Sequence, residues 1–199
     1  MLKRAFDLVA ASAGLLVLSP LLLAVAVAVA VSSPGPVLFR QERVGLGGRT
    51  FRMLKFRTMH VDAERAGGLL TVGADPRVTP VGAFLRRFKL DELPQLVNVV
   101  AGDMSLVGPR PEVPRYVARY DERQRRVLAV RPGITDPASV AYRNESELLA
   151  GASDPEATYL HDILPAKLEM NLAYLERRSL SADVGVILRT LARVFGPRR

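Results

Sequence analysis

LVAASAGLLVLSPLLLAVAVAVAV, Leu8 to Val31, runs without a charge and is broken once, at Ser19-Pro20. About 24 apolar residues are enough to cross a bilayer as one helix. A proline inside a helix removes a backbone hydrogen bond and clashes with the carbonyl four residues back, so the helix bends there. Each half is then about 12 residues and roughly 18 Å long, too short to span the hydrocarbon core. Lys3 and Arg4 precede the run, and Arg40, Arg43, Arg49 and Arg52 follow it. Basic flanks on both sides draw both ends to the cytoplasmic face. A hairpin that enters and leaves one leaflet satisfies both features, and a kinked ordinary span remains the other reading. A cleaved signal is disfavoured, because the run is about twice a normal h-region and leads straight into a basic segment.

The 199 residues suffice for one domain with its own core. Hydrophobic content of 49%, mean hydropathy of +0.14 and 24% charged residues together imply an apolar block beside a charged globular part. A formal charge of +8 points to an acidic partner: phosphorylated substrate, anionic lipid or nucleic acid. An aromatic content of 6% is poor for stacking on single strands and argues against nucleic acid. With no cysteine, disulfides and cysteine–zinc sites are excluded, and two histidines make a histidine-rich metal centre unsuited to this chain.

Past the turn-rich exit Ser32 to Pro36, VLFRQERVGLGGRTFRMLKFRTM alternates apolar and basic residues around three glycines, predicting a β-hairpin. Val61 to Val72 reads as a loop with a little helix. TPVGAFLRRF predicts a threonine-capped helix over Val81 to Phe88, and Leu93, Leu96, Val97 and Val100 mark another that ends near Gly102. GPRPEVPRY reads as a proline-fixed loop, Tyr116 to Val130 as a charged helix and RPGITDPAS as a second turn-rich loop. Asp154 to Glu176 reads as helix with Pro165 as bend or boundary. The last helix, ADVGVILRTLARVF, has Val184, Ile187, Leu188, Leu191, Val194 and Phe195 on one face, with Arg189, Arg193, Arg198 and Arg199 opposite and at its end. That pattern suits a helix lying in the membrane interface and equally one packed on a core. The fold class is therefore α+β: a mostly helical small domain with a short hairpin, an N-terminal re-entrant helix–break–helix segment and interfacial amphipathic helices.

Chemistry concentrates around KLDELPQL, Lys89 to Leu96. Pro94 is tolerated only in a first helical turn, so the helix is expected to start near Asp91, with Asp91 as its N-cap. Free N–H groups and the helix dipole at that end would keep the Asp91 carboxylate ionised. Lys55, Arg57, Arg86, Arg87, Arg110 and Arg131 supply cations nearby in the sequence pattern, and proline-gripped Arg110 is pre-organised for bidentate phosphate contact. Acids are too few for a two-metal cluster, although Asp91 suits one Mg²⁺ bridged to substrate phosphates.

The order KRAFD, an apolar run broken by SP, FRQERVG, FRMLKFRTM, LDELPQLVNVVAGDMSLVGPRP and VRPGIT closely resembles the bacterial sugar transferase family, the monotopic polyprenol-phosphate phosphoglycosyl transferases. The match covers about residues 1–195, as a minimal catalytic unit. The resemblance implies a re-entrant segment over 1–33, broken at Ser19 and Pro20, and a catalytic domain over 34–199 on the cytoplasmic face of the bacterial inner membrane. It implies Mg²⁺-dependent transfer of a sugar 1-phosphate from a UDP-sugar to polyprenol (undecaprenyl) phosphate, with UMP released, early in glycoconjugate assembly. In that pattern Asp91 attacks the β-phosphorus to form a covalent phosphosugar–aspartyl intermediate and also serves the metal. Glu92 assists the dyad or deprotonates the acceptor, and Lys55, Arg86, Arg110 and Arg131 hold substrate phosphates. Its partners would be the UDP-sugar, the polyprenol phosphate and inner-membrane lipid, not nucleic acid, with a homodimer left open. The chain departs from the family pattern at 136–145 (DPASVAYRNE), at Lys89, where serine is common, and after GPRP, which puts the sugar's identity in doubt.

Overall fold

The computed structural model describes residues 2–61, 63 and 68–196. The apolar run forms two helices, α1 (Leu2–Val17) and α2 (Ser19–Ser32), bent from each other by 63°. Pro20 lies in the first turn of α2, where its missing N–H is no loss, and Ser19 Oγ donates to Leu16 O at 2.7 Å. Among the described residues no single helix is long and apolar enough to cross a membrane. At 1.5 Å per residue the arms are about 24 and 21 Å long, so this bend lifts the apex only about 12 Å from the line joining their far ends.

Both arms are tied to the rest of the chain. Ala11 of α1 is packed with Met53, Leu96, Val99 and Met104, and Val25 and Val29 of α2 with Phe56 and Leu85. Polar contacts fix the far end of each arm. Arg4 Nη1 donates to Val99 O at 2.6 Å, and buried Asp7 accepts from Ser105 Oγ at 2.8 Å and from Leu106 N at 3.2 Å. Asp183, also buried, accepts from both Lys3 and Tyr174. At the exit of α2, buried Arg57 donates to Val29 O, Ser33 O and Pro36 O at 3.1, 2.6 and 2.5 Å. Val29 O also accepts from Ser32 Oγ at 3.0 Å, and the guanidinium ties this last turn of α2 to the Ser33 and Pro36 carbonyls just beyond it, acting as a C-terminal cap.

The hairpin is present as antiparallel β1 (Leu38–Val44) and β2 (Thr50–Phe56), with Phe39 opposite Lys55 and Arg43 opposite Phe51. Its turn needs Gly47 and Gly48, at φ 65° and 79°. Period-two alternation puts Lys55, Met53 and Phe51 on one face, and Met53 is buried there. Next come α3 (Pro80–Arg87), capped by Thr79, and α4 (Gln95–Ala101), closed by Gly102 at φ 98°, near the expected limits. Of the loop expected over 61–72, residues 62 and 64–67 lie outside the described residues.

Two stretches fold differently from the expectation. RPGITDPAS is not only loop: β4 (Gly133–Thr135) pairs in parallel with β3 (Ser105–Val107), and Asp136 caps the short helix Pro137–Ala141. Three-residue strands show no readable period. Glycine is required at Gly133, since a Cβ there would lie 2.1 Å from Gly108 N. Tyr116 to Val130 is not one helix but a turn over Pro114–Val117 and a 3₁₀ segment over Gln124–Ala129. Asp121 and Gln124 interrupt it by accepting each other's backbone N–H, at 2.7 and 3.1 Å.

From Pro155 the chain is helical through Glu176, with one π turn over Tyr159–Ile163 leading into α5 (Leu164–Glu176). Pro165 sits just past it and has no N–H to continue a regular ladder. This stretch carries the largest core cluster, including Tyr159, Ile163, Leu168 and Leu172 packed on Tyr116, Tyr120 and Val127. The last helix, α6 (Leu180–Phe195), buries Asp183 and Val186 and leaves Val184, Leu188 and Leu191 exposed, so one side packs while an apolar side stays open. The side chain of Phe195 and the basic end at Arg198 and Arg199 lie outside the described residues.

Truncating the α2 cap tests this frame. Arg57→Ala takes the charged donor from three carbonyls, of which only Val29 O keeps Ser32 Oγ, and is expected to lower unfolding stability by about 3 kcal/mol in a detergent-solubilised thermal melt. A loss below about 1 kcal/mol would mean that these carbonyls find other partners.

Candidate active site

The site forms where α3 hands over to α4. Lys89, at φ 57° and ψ 21°, is the one non-glycine residue with positive φ among the described residues. This left-handed residue turns the chain sharply, and Leu90–Glu92 follows as a 3₁₀ turn that buries Asp91 and Glu92. A side chain in the left-handed region costs about 1–2 kcal/mol, and such strain tends to collect where function demands it.

Asp91 is therefore not an N-cap: α4 starts only at Gln95, Pro94 occupies the cap position and no side chain caps the helix. Nor is its carboxyl held low by a helix end. Burial first, and then the charge of Glu92, push its pKa up, against the opposing pull of Lys55, Lys89 and Arg86. Asp91 Oδ1 is buried without a hydrogen-bond partner.

Glu92 has the opposite surroundings. Lys55 Nζ donates to its Oε1 at 3.0 Å and Arg110 Nη2 to the same oxygen at 2.5 Å, with Arg110 Nη1 at 3.4 Å from Oε2. Burial works to raise its pKa, but Arg110, Lys55 and Lys89 prevail and hold it well below the usual carboxylate range. In turn Glu92 raises the pKa of Arg110. Burial lowers that of Lys55 to about 8 despite Glu92. Arg110 reaches the dyad from the loop between β3 and the turn at Pro114. Gly108 N donates to Thr135 O at 3.1 Å and Gly133 N to Pro109 O at 3.0 Å, fixing that loop to β4.

Asp91, Glu92, Lys55, Arg86 and Arg110 all line one cavity of about 2180 Å³. It extends to Phe6, Ala10, Leu18 and Leu21 on the bent helices, and to Tyr142, Arg143 and Asn144 in the divergent stretch at 136–145. Arg86 is held as part of the wall, its Nε donating to Thr58 Oγ1 at 2.8 Å and its Nη1 to Thr71 Oγ1 at 3.0 Å. Arg131 is not brought to this cavity. Its Nε donates to Gly102 O at 2.8 Å, at the opposite end of α4 from the dyad.

Such a pair of buried carboxylates, one saturated by cations and one unpaired at a cavity wall, suits a phosphate-handling nucleophile. A family model described as bacterial sugar transferase matches residues 1–197. The chain belongs to the bacterial sugar transferase family. It is 39% identical, over 99% of its own length, to a UDP-N-acetylgalactosamine-undecaprenyl-phosphate N-acetylgalactosaminephosphotransferase of Aeromonas hydrophila, covering 45% of that relative. To a UDP-glucose:undecaprenyl-phosphate glucose-1-phosphate transferase of Xanthomonas campestris it is 41% identical over 98% of the chain and 39% of the relative. It thus spans less than half the length of these two. An exopolysaccharide production protein of Rhizobium leguminosarum is 38% identical over 96% of the chain and 93% of its own length.

In this bacterial sugar transferase several site-building residues were not apparent from sequence. Glu112 accepts from Tyr159 Oη at 2.6 Å and from Arg43 Nη1 at 3.3 Å, and so backs the Arg110 loop from the core side. Arg43 and Glu112 stand inside FRQERVG and GPRPE, but only the fold shows them meeting. Thr58 and Thr71 give no signal beyond ordinary polarity. The fit to Mg²⁺ is limited but present. Among the described residues no three acids or histidines cluster, while the Asp91 carboxylate at the cavity wall offers one ligand. That ion commonly binds through one or two carboxylates together with substrate phosphates.

Lys89→Gly relieves the left-handed strain and is expected to stabilise the fold by about 1 kcal/mol, raising Tm by about 2–4 °C, whereas Lys89→Val lowers it. An unchanged or lower Tm for the glycine variant would mean that the lysine side chain itself holds the turn.

Proposed function

We propose that this chain transfers a sugar 1-phosphate from a UDP-sugar to polyprenol phosphate, releasing UMP, at the cytoplasmic face of the bacterial inner membrane. The observation that carries this reading is the unpaired Asp91 carboxylate beside a Glu92–Lys55–Arg110 cluster, in a cavity that runs on to the bent apolar helices. Donor and acceptor classes are those in the names of the Aeromonas and Xanthomonas relatives.

Asp91 acts as the nucleophile. One of its oxygens bonds to the β-phosphorus of the UDP-sugar while the bond from that phosphorus to the bridging oxygen breaks, and the electron pair leaves with UMP. A phosphate oxygen of the lipid then attacks the same phosphorus and the bond to Asp91 breaks, restoring the carboxylate. A carboxylate is a weak nucleophile, so the phosphates it meets have to be neutralised. Lys55, Arg86 and Arg110 do this from the cavity wall with donors left over from their fixed contacts. Glu92, held ionised by two cations, is poorly suited to accept a proton; it orients Lys55 and Arg110. Mg²⁺, held by Asp91, would add Lewis-acid neutralisation of the diphosphate.

The bent pair reads as re-entrant. Leu16 and Val17 beside the break are 77% and 74% exposed, and Val9, Leu23 and Val31 are exposed along the arms, which is apolar area that favours lipid. An apex about 12 Å from the line of the far ends stays within one leaflet of a core about 30 Å thick. Both far ends are held by the same globular body, through Arg4 and Arg57. Phe84, Leu188 and Leu191 are also exposed and suit the interface.

A UMP-release assay with a panel of UDP-sugars, undecaprenyl phosphate and Mg²⁺ tests the chemistry. Asp91→Asn is expected to cut the first UMP burst by about 10³-fold or more and to abolish a trapped phosphosugar adduct. Near-normal release would sink the covalent route. The same variant should unfold about 2–4 °C higher, since folding raises the Asp91 pKa and its ionised form weighs against the native state as pH rises through that range.

The burst rate should rise with pH as Asp91 ionises, along a limb displaced above the ordinary carboxylate range, and decline above about pH 8 as Lys55 loses its proton. A flat profile between pH 5 and 9 would exclude this assignment of the two limbs. Cysteine labels at Leu2 and Arg40 should react from the same face of sealed vesicles. Labelling from opposite faces would establish a span.

A further inference from the structure

Gln95 stands one turn past the nucleophile and is fully buried, at 0% exposure, yet neither its amide nitrogen nor its carbonyl oxygen has a hydrogen-bond partner. Asp91 Oδ1 is buried and unpaired as well. Between them the backbone is helical, with Leu93 at φ −55°, ψ −35° and Pro94 at φ −59°, ψ −17°. Glu92 N, Leu93 N and Leu96 N each donate three residues back, to Lys89 O, Leu90 O and Leu93 O, so Asp91 and Gln95 stand little more than one 3₁₀-type turn apart. Three unpaired buried polar atoms are thus gathered within five residues. Folded proteins pair nearly all such atoms, and an exception calls for a state in which they are paired.

The surroundings leave few other partners. Asn98, the next polar residue of α4, is committed to β2: its Oδ1 accepts from Leu54 N at 3.0 Å and its Nδ2 donates to Arg52 O at 2.9 Å. Glu92 is saturated by Lys55 and Arg110. Asp91 lines the cavity and Gln95 does not, so Gln95 is buried on the inner side of the turn. An amide in that place can orient a carboxylate without neutralising it, whereas a cation there would quench the nucleophile.

We propose that Gln95 is the positioning residue of the nucleophile: when the donor fills the cavity, Gln95 Nε2 donates to Asp91 Oδ1 and turns Oδ2 toward the β-phosphorus. This rests on the transfer reading given above. As the Oδ2–phosphorus bond forms and the bond to UMP breaks, Oδ1 becomes the carbonyl oxygen of a mixed anhydride. It remains an acceptor, and no proton leaves the amide.

Gln95→Met keeps length and apolar volume but removes the donor, with Gln95→Leu as a second apolar variant. The readouts are thermal unfolding and the pre-steady-state UMP burst with UDP-glucose and with UDP-N-acetylgalactosamine, using the full chain in detergent. The expected result is an unchanged or higher Tm, because an unpaired buried amide is removed. The burst rate should fall about 10–100-fold, while the donor concentration for half-maximal burst stays within about twofold. A burst rate within about twofold of the parent overturns the proposal, as does a rate loss that only tracks a falling Tm in both variants. A parent chain that releases no UMP from any UDP-sugar overturns the transfer reading along with it, an outcome distinct from activity retained by the variants.

Discussion

Glu92 is the knot on which the site depends. Its carboxylate joins β2 through Lys55, the proline-fixed loop through Arg110 and the turn before α4 through its own backbone. These three pieces are far apart in the chain and share no continuous element. Burying one acid with two cations carries a desolvation penalty that the attraction between them has to offset, and removing any partner strands the others. The neighbouring Asp91 takes the consequence. With the local cations drawn to Glu92, Asp91 is left with burial and a like charge beside it, so two adjacent carboxyls are driven in opposite directions. Separating the behaviour of a carboxyl pair in this way is how one site keeps one acid as a fixed ion and another as a reactive group.

How far this was legible in the sequence follows from the length scale of each signal. The broken apolar run, the hairpin and α3 carry strong local patterns: a proline in mid-run, alternation around glycines, a threonine before a helical repeat. The β3–β4 pair could not be read, because three residues a side leave no period and their pairing joins chain segments about 30 residues apart. Tyr116 to Val130 misled because its charge spacing favours a helix, while Asp121 and Gln124 offer the backbone a competing set of bonds.

At the site, DELP and the proline-flanked Arg110 were recognisable and do come together with Lys55 and Arg86. Arg131 sits in an equally suggestive RPG context but is spent on Gly102 O at the wrong end of α4. Motif context does not reveal which side of an element a residue serves. Nor did the sequence reveal the left-handed backbone at Lys89, since lysine is not a residue that announces positive φ. The cap reading of Asp91 failed for that reason: the turn made at Lys89 delays the helix to Gln95.

Arg4 grips the carbonyls at the C-terminal end of α4, and the dyad lies just before its N-terminal end. Seven residues of helix, about 10 Å, therefore act as a rigid strut between the bent apolar arm and the buried carboxyl pair. The distance of Asp91 from that arm is then set by a count of residues. Adding or deleting a single residue in that strut would change this distance by only about 1.5 Å but swing Asp91 by about 100° around the axis. Lateral aim, more than depth, is what the length of α4 protects.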